Sequence, residues 1–355
     1  MSQKILFVTH QLTRTGAPQV LFNMVLCCQE LGHAVMVISL SDGDARKEWE
    51  QKGIDVTVMP QLPQVGEQMI PIFKKFDVIF VNTLVCLDVI KICIEAKVKS
   101  YWWIHEHENY FRHYGERLPK EKELGENVRV LAVSPLTGKL VRQYAGYNNV
   151  ELLPFSVHDH GSKEVARSKD SKDKIRFICV GVYAFVKGQD ILCTAIDLLT
   201  EDERKRCSFD FYGDRSEVDR MVYGPVEKAA SKYPEVNIYD TVPHERMLDK
   251  MKQADYLIIP SRKEPMPTVA VEAMMLGRPC IISDICGVTD WLENGKNALF
   301  FKAERADELA ERIRNAINMD ETVYSDLARS GRAIYEKEFS EDVFRERIAY
   351  IMERE

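Results

Sequence analysis

Short apolar runs alternate with amphipathic helical stretches along nearly all of the chain, and this rhythm limits the fold more than any other feature. The runs at 4–9, 34–40, 54–58, 77–82, 98–104 and 129–134 read as strands, with helical periodicity between them. Strands joined through helices lie parallel, and a parallel sheet needs helices on both faces. A polar stretch, HDHGSKEVARSKDSKDK at 158–174, interrupts the pattern and reads as a linker. The rhythm restarts at 175–182 and continues at 208–212, 236–239, 256–260, 279–283 and 298–301. At 355 residues the chain exceeds one ordinary domain. The reading is therefore α/β, with two doubly wound Rossmann-like domains at 1–157 and 175–338. The tail 339–355 places Phe339, Val343, Phe344, Ile348, Ile351 and Met352 at helical spacing; this helix is expected to pack back on the first domain.

Charge and cysteine usage exclude several classes. Residues 1–155 carry 17 Lys and Arg against 17 Asp and Glu, so the net −7 of the chain falls wholly in the remainder. An acidic second half argues against nucleic acid as a partner. The balanced first half is the side suited to lie beside an anionic membrane, yet no apolar run approaches the length of a membrane span. The first strand begins at Lys4, which leaves no space for a signal peptide, and the nine cysteines show no CxxC spacing. A cytoplasmic protein with reduced core thiols is the expectation.

In open parallel sheets ligands collect at the carboxyl ends of strands, where loops meet helix N-termini. After the first strand, THQLTRTGAPQV opens a helix at Gly16. A dinucleotide site would need G-x-G-x-x-G there, so no hydride-transfer cofactor is expected. Asp42-Gly43-Asp44 imitates a metal-binding pair but fits turn chemistry. His105 and His107, in WWIHEHENY, alternate to one face of a strand end without a third zinc ligand. His105 is open to two readings, a core or surface histidine or a neutral donor to a ligand hydroxyl. Ser134 before Pro135 reads as an N-cap and first helical residue, not as a nucleophile. Lys187 and Gly188, in VGVYAFVKGQDIL, introduce a helix where an ammonium and free amides converge on a place for a phosphate.

The segment EPMPTVAVEAMMLGRP, 264–279, is the most informative. Pro265 and Pro267 resist continuing a helix backwards, so the helix should start near Thr268 and end at Gly277. A capping box would need Glu at 271, where Val271 stands. Glu272 is therefore no cap, and its apolar neighbours predict a buried carboxylate that needs a polar partner.

Taken in order, TGAP, HEHE, VGxxxxxKGQD and the E-x7-E pair Glu264 and Glu272 resemble the family 4 retaining glycosyltransferases over essentially the whole chain. The resemblance implies the GT-B fold, two Rossmann-like domains facing across a cleft. It also implies a retaining glycosyltransferase that needs neither metal nor cofactor. Such an enzyme moves a sugar from a nucleoside-diphosphate sugar to a saccharide or lipid-linked acceptor, in cell-surface polysaccharide or glycoconjugate synthesis. The expected location is cytoplasmic, peripheral at the inner face of the membrane.

Residue roles follow from the same resemblance. Glu272 takes the ribose hydroxyls and Glu264 orients the donor sugar, while Lys187 neutralises the leaving diphosphate. Backbone at Gly188, Pro267, Thr268 and Val269 meets the sugar or phosphate, Gly16 and Ala17 allow close approach, and His105 contacts the sugar. One position departs from the family: an arginine usually follows the glycine that begins the Lys-Gly loop, and here Val182 does. Arg14 or Arg262 could supply the missing phosphate contact. The departure keeps a second reading in play, a non-catalytic sugar-nucleotide-binding subunit that partners another transferase. A GT-B sugar-nucleotide epimerase shares the fold but not E-x7-E with KGQD. The basic, aromatic stretch YFRHYGERLPKEK at 110–122 either faces a lipid-linked acceptor or forms a solvated helix face. Donor base, donor sugar, acceptor and linkage are not legible in these motifs.

Overall fold

The structure, a computed structural model, describes residues 2–161, 174–216 and 218–353. Most of the expected linker, 162–173, lies outside the described residues. The chain divides into two compact units, Met1–Val157 with Glu341–Glu355 and His158–Ser340.

In the first unit the strands are β1 Lys4–Thr9, β2 Ala34–Ser39, β3 Asp55–Val58, β4 Val78–Asn82, β5 Ser100–Ile104, β6 Val128–Ala132 and β7 Val150–Leu152. They form one parallel sheet in the order β3-β2-β1-β4-β5-β6-β7. β4 and β5 are buried at every residue and β1 at all but its first, as strands covered on both faces must be. Chain direction across the sheet reverses between β1 and β4, so the loops leaving these strands diverge and open a crevice at their carboxyl ends. Strand β7 escaped the sequence reading. Its three residues sit at the sheet edge, too short to show a periodicity.

The helix Glu341–Glu353 closes this unit. Tyr101 Oη donates to the Ile351 carbonyl at 2.6 Å, and the Trp103 and Phe344 rings stack with centroids 6.3 Å apart. Phe339 differs from expectation. It caps the preceding helix Glu321–Glu338 and meets Trp291 edge-on at 5.3 Å, so the tail helix starts later.

The second unit holds β8 Ile175–Val180, β9 Cys207–Tyr212, β10 Val236–Tyr239, β11 Tyr256–Ile259, β12 Cys280–Ser283 and β13 Leu299–Phe301. These also run parallel, in the order β10-β9-β8-β11-β12-β13. The helices His244–Gln253 and Thr268–Met275 carry the chain from β10 to β11 and from β11 to β12, in the same direction across the sheet. Right-handed crossovers therefore lay both helices on one face. That shared face later brings His244 to Glu272.

All nine cysteines are buried free thiols; burial pushes Cys93, for example, up to about 12. No helix among the described residues is long and apolar enough to cross a membrane.

Candidate active site

The helix Thr268–Met275 begins and ends where its residues dictate. Pro267 takes the N-cap position and no side chain caps the helix, leaving first-turn amides at Thr268 and Val269 for another partner. At the other end Gly277 adopts φ 63°; its N–H bonds the Met274 carbonyl at 3.0 Å, and Arg278 N–H bonds that of Ala273 at 2.8 Å. These two bonds form a Schellman cap, which needs glycine at the left-handed position. Glu272, on the second turn, is only 8% exposed. Its partner is His244, whose Nε2 lies 2.8 Å from Oε1 of the carboxylate.

Lys187 and Glu264, expected to serve leaving group and sugar separately, form an ion pair with each other. Burial alone would lower the Lys187 ammonium; the Glu264 carboxylate outweighs it and holds the lysine above its ordinary range. The loops bearing the pair are laced together. Arg262 N–H bonds the Val186 carbonyl at 2.8 Å, and Gly188 sits so close to Pro260 that a Cβ there would lie 2.0 Å from the Pro260 oxygen. Gly188 also holds φ 68°, so two independent constraints demand glycine. The pair lines a small recess together with Gln189, Ser261, Pro267 and Val269 among others. Gln189 shapes its wall: Nε2 donates to the Val182 carbonyl at 2.9 Å, while Oε1 has no partner among the described residues.

Arg262 is engaged elsewhere. Its guanidinium grips Asp190 through two bonds of 2.8 and 2.6 Å, donates to the Phe185 carbonyl at 3.0 Å and stacks on the Phe185 ring. This arrangement splints the Lys187 loop to the helix that follows it, Gln189–Asp197.

The remaining residues lie in the first unit. Gly16 opens the helix Gly16–Glu30, Ala17 follows, and a Cβ on Gly16 would meet nothing within 4 Å. The Ala17 carbonyl accepts from Asn82 Nδ2 at 3.0 Å. Arg14 bonds Asp44 at 3.1 Å and Glu48 at 3.2 Å on the surface. His105, at the carboxyl end of β5, packs edge-on against Trp103, and its Nε2 is buried without a hydrogen-bond partner among the described residues. Burial first, and the neighbouring His10 second, push His105 down to about 3, so the ring is neutral. Burial likewise lowers His10 to about 4.

Next to His105 stands Glu106, 7% exposed. It accepts the backbone N–H of Leu84 at 2.8 Å and of His105 at 2.9 Å. Burial raises its carboxyl to about 7, against the lowering pull of those amides. Thr83, in the same cluster, holds φ 77°, a conformation β-branched residues avoid, and its hydroxyl lies 3.4 Å from His10 Nδ1. Asp42 to Asp44 behave as a turn: Asp42 Oδ1 accepts the Gly43 N–H at 2.9 Å. Ser134 caps its helix by accepting the Thr137 N–H at 3.1 Å.

Comparison with known proteins decides the family. The pattern of glycosyl transferases group 1 matches residues 162–333, and that of glycosyl-transferase family 4 matches residues 1–160. The chain belongs to glycosyltransferase family 4. TuaC of Bacillus subtilis, named for teichuronic acid biosynthesis, is 27% identical over 214 residues, 58% of this chain and 51% of TuaC. The alpha-D-kanosaminyltransferase of Streptomyces kanamyceticus is 25% identical over 149 residues, 41% of this chain and 37% of that protein. The chain spans about half the length of the curated relatives it matches. Among solved structures, HepE of Anabaena superposes with a TM-score of 0.81 at 18% identity over 99% of both chains. Sucrose-phosphate synthase of Thermosynechococcus elongatus gives 0.74 at 15% identity, over 99% of this chain and 98% of that one. At such identities the likeness shows the fold, which is GT-B.

Within this family 4 chain, Val182 is 48% exposed at the position where an arginine was expected. Sequence reasoning missed His244, Gln189 and Glu106. A half-exposed histidine opening a polar helix carries no sequence signal. Glu106 in HEHE was hidden by its alternation with histidines; the signal available was its place two residues after the fully buried strand β5.

Proposed function

We propose that this family 4 member is a retaining, metal-independent glycosyltransferase. It would take a sugar from a nucleoside-diphosphate sugar and pass it to a saccharide or lipid-linked acceptor, in cell-surface polysaccharide or glycoconjugate synthesis. The observation that carries this reading is the Lys187–Glu264 pair at the pocket of the second unit. A cation suited to a phosphate and an anion suited to sugar hydroxyls neutralise each other there. On donor binding each exchanges the other for its own substrate group, Lys187 for the diphosphate and Glu264 for hydroxyls of the sugar.

The reaction breaks the bond between the anomeric carbon and the phosphate oxygen and forms one to the acceptor oxygen. The acceptor proton leaves with the departing diphosphate or to solvent. Negative charge grows on the diphosphate as the bond breaks, and a fixed ammonium there lowers the barrier more than it tightens the ground state. The Thr268 and Val269 amides add the positive end of a helix. Neutral His105, with a free ring nitrogen, suits a sugar hydroxyl better than an imidazolium would. HepE has been solved with UDP and with UDP-glucose, and a Campylobacter jejuni relative, 27% identical over 84 residues, is named for adding N-acetylgalactosamine to a diphospho-undecaprenol-linked sugar. The first supports a sugar-nucleotide donor and the second a lipid-linked acceptor, which would bring the chain to the inner face of a membrane.

The test is turnover by the purified chain with a panel of nucleotide-sugars and with oligosaccharide or undecaprenyl-diphosphate-linked acceptors. Acceptor-dependent release of nucleoside diphosphate is expected. Donor binding with release only after a second protein is added would instead support the subunit reading, which the exposed Val182 favours.

A further inference from the structure

The carboxylate of Glu272 is held by a residue to which no role has been given. It sits on the apolar helix Thr268–Met275, surrounded by buried Ala270, Val271, Ala273 and Met275, where an ionised group without a partner is costly. His244 reaches it from the first turn of the helix His244–Gln253, which starts directly after the loop leaving β10. A carboxylate has acceptor sites on both oxygens, and the imidazole occupies only Oε1. Among the described residues Oε2 has no hydrogen-bond partner. A carboxylate only accepts, so in that pairing the imidazole is the donor, through Nε2. One bond of this kind restrains rotation of the carboxylate and leaves the second oxygen for another donor.

We infer that His244 is the positioning residue of a ribose-recognition pair. The imidazole holds Oε1 of Glu272 so that Oε2 stands ready for the vicinal hydroxyls of a ribonucleoside diphosphate. This inference rests on the reading of Glu272 as the ribose carboxylate. It adds that recognition is shared between two crossovers of the sheet, one after β10 and one after β11. His244 is half exposed, so the ring can be replaced without opening the core.

Calorimetric titration tests it, using UDP, GDP and ADP, each beside its 2′,3′-dideoxy form, against wild type, Glu272→Gln, His244→Ala and His244→Gln. For the base that binds, the wild type should prefer the ribose form by about tenfold or more, the range of hydrogen bonds to a charged acceptor. Glu272→Gln should abolish most of that preference. His244→Ala should reduce it to about threefold while leaving the affinity for the dideoxy form unchanged, which also reports that the site is folded. His244→Gln, which restores an N–H donor, should recover a good part of it. If Glu272→Gln keeps the preference, or no ribonucleoside diphosphate binds, the ribose reading itself fails. If Glu272→Gln loses the preference but His244→Ala keeps it, only the role of His244 is overturned. A larger preference in His244→Ala would mean that the imidazole competes with ribose, which also overturns the inference.

Discussion

Lys187 and Glu264 hold each other's charge, so removing either leaves the other stranded in a largely buried setting. Breaking such a pair costs about 3 kcal/mol or more in stability when one partner remains charged. Lys187→Ala should therefore lower the melting temperature and, separately, reduce kcat by about 100-fold, by analogy with losing one oxyanion donor. Donor KM should change much less. Comparing initial rates with thermal melts of Lys187→Ala and Glu264→Gln checks both. Near-normal turnover in Lys187→Ala would show that another cation serves the leaving group, and Arg262 is a poor candidate because Asp190 already occupies its fork. The first-unit cluster makes a second prediction, about pH. His10 and His105 are neutral when folded but take up protons below about 6.5 when unfolded, so acid removes the stability they contribute. Glu106 acts in the opposite sense, since its raised carboxyl takes up a proton on folding between about 4.5 and 7. Two protons against one leave the unfolded chain with one extra between about pH 4.5 and 6, so the cluster's stability rises with pH at about 1.4 kcal/mol per unit. His105→Asn should flatten the measured slope by about that amount in urea titrations at pH 4.5 and 6. An unchanged slope would show that His105 is protonated in the folded state.

Elements decide which glycines the fold needs and which a ligand needs. Gly188 is fixed by its own structure, through φ 68° and the Pro260 carbonyl, whereas Gly16 meets no neighbour and needs no left-handed backbone. Gly188→Ala should cost about 3 kcal/mol or more and loosen the Lys187 loop. Gly16→Ala should leave stability equal or slightly raised, since alanine is the better helix former by about 1 kcal/mol at most. If substrate backs onto that helix end, donor or acceptor KM should rise in Gly16→Ala with no change in the melt. Unchanged kinetics would remove Gly16 from the site. The same contrast explains what the sequence could show. Apolar runs marked the strands because both faces of a parallel sheet are buried, and β7 failed only because three edge residues carry no period. The burial of Glu272 was legible from its apolar neighbours and the missing capping box, but His244 was not. The partner lies 28 positions away, and only the handedness of two crossovers brings it there. Arg262 was read as a free cation because nothing in one dimension places Asp190 beside it.

At the scale of the whole molecule the two units carry different chemistry. The second holds the charged groups proposed for the donor, and the first holds neutral His105 with its unsatisfied nitrogen. The second unit carries 28 Lys and Arg against 33 Asp and Glu, a net of −5, so the anionic donor must be drawn by local cations and helix amides rather than by an overall field. The central claim is that this chain transfers a sugar with retention at the anomeric carbon. Proton NMR of the anomeric signals, followed from the first minutes of turnover with an α-linked nucleotide-sugar, tests it most directly. Retention makes the glycosidic bond first formed α; a product that first appears as the β anomer would contradict it.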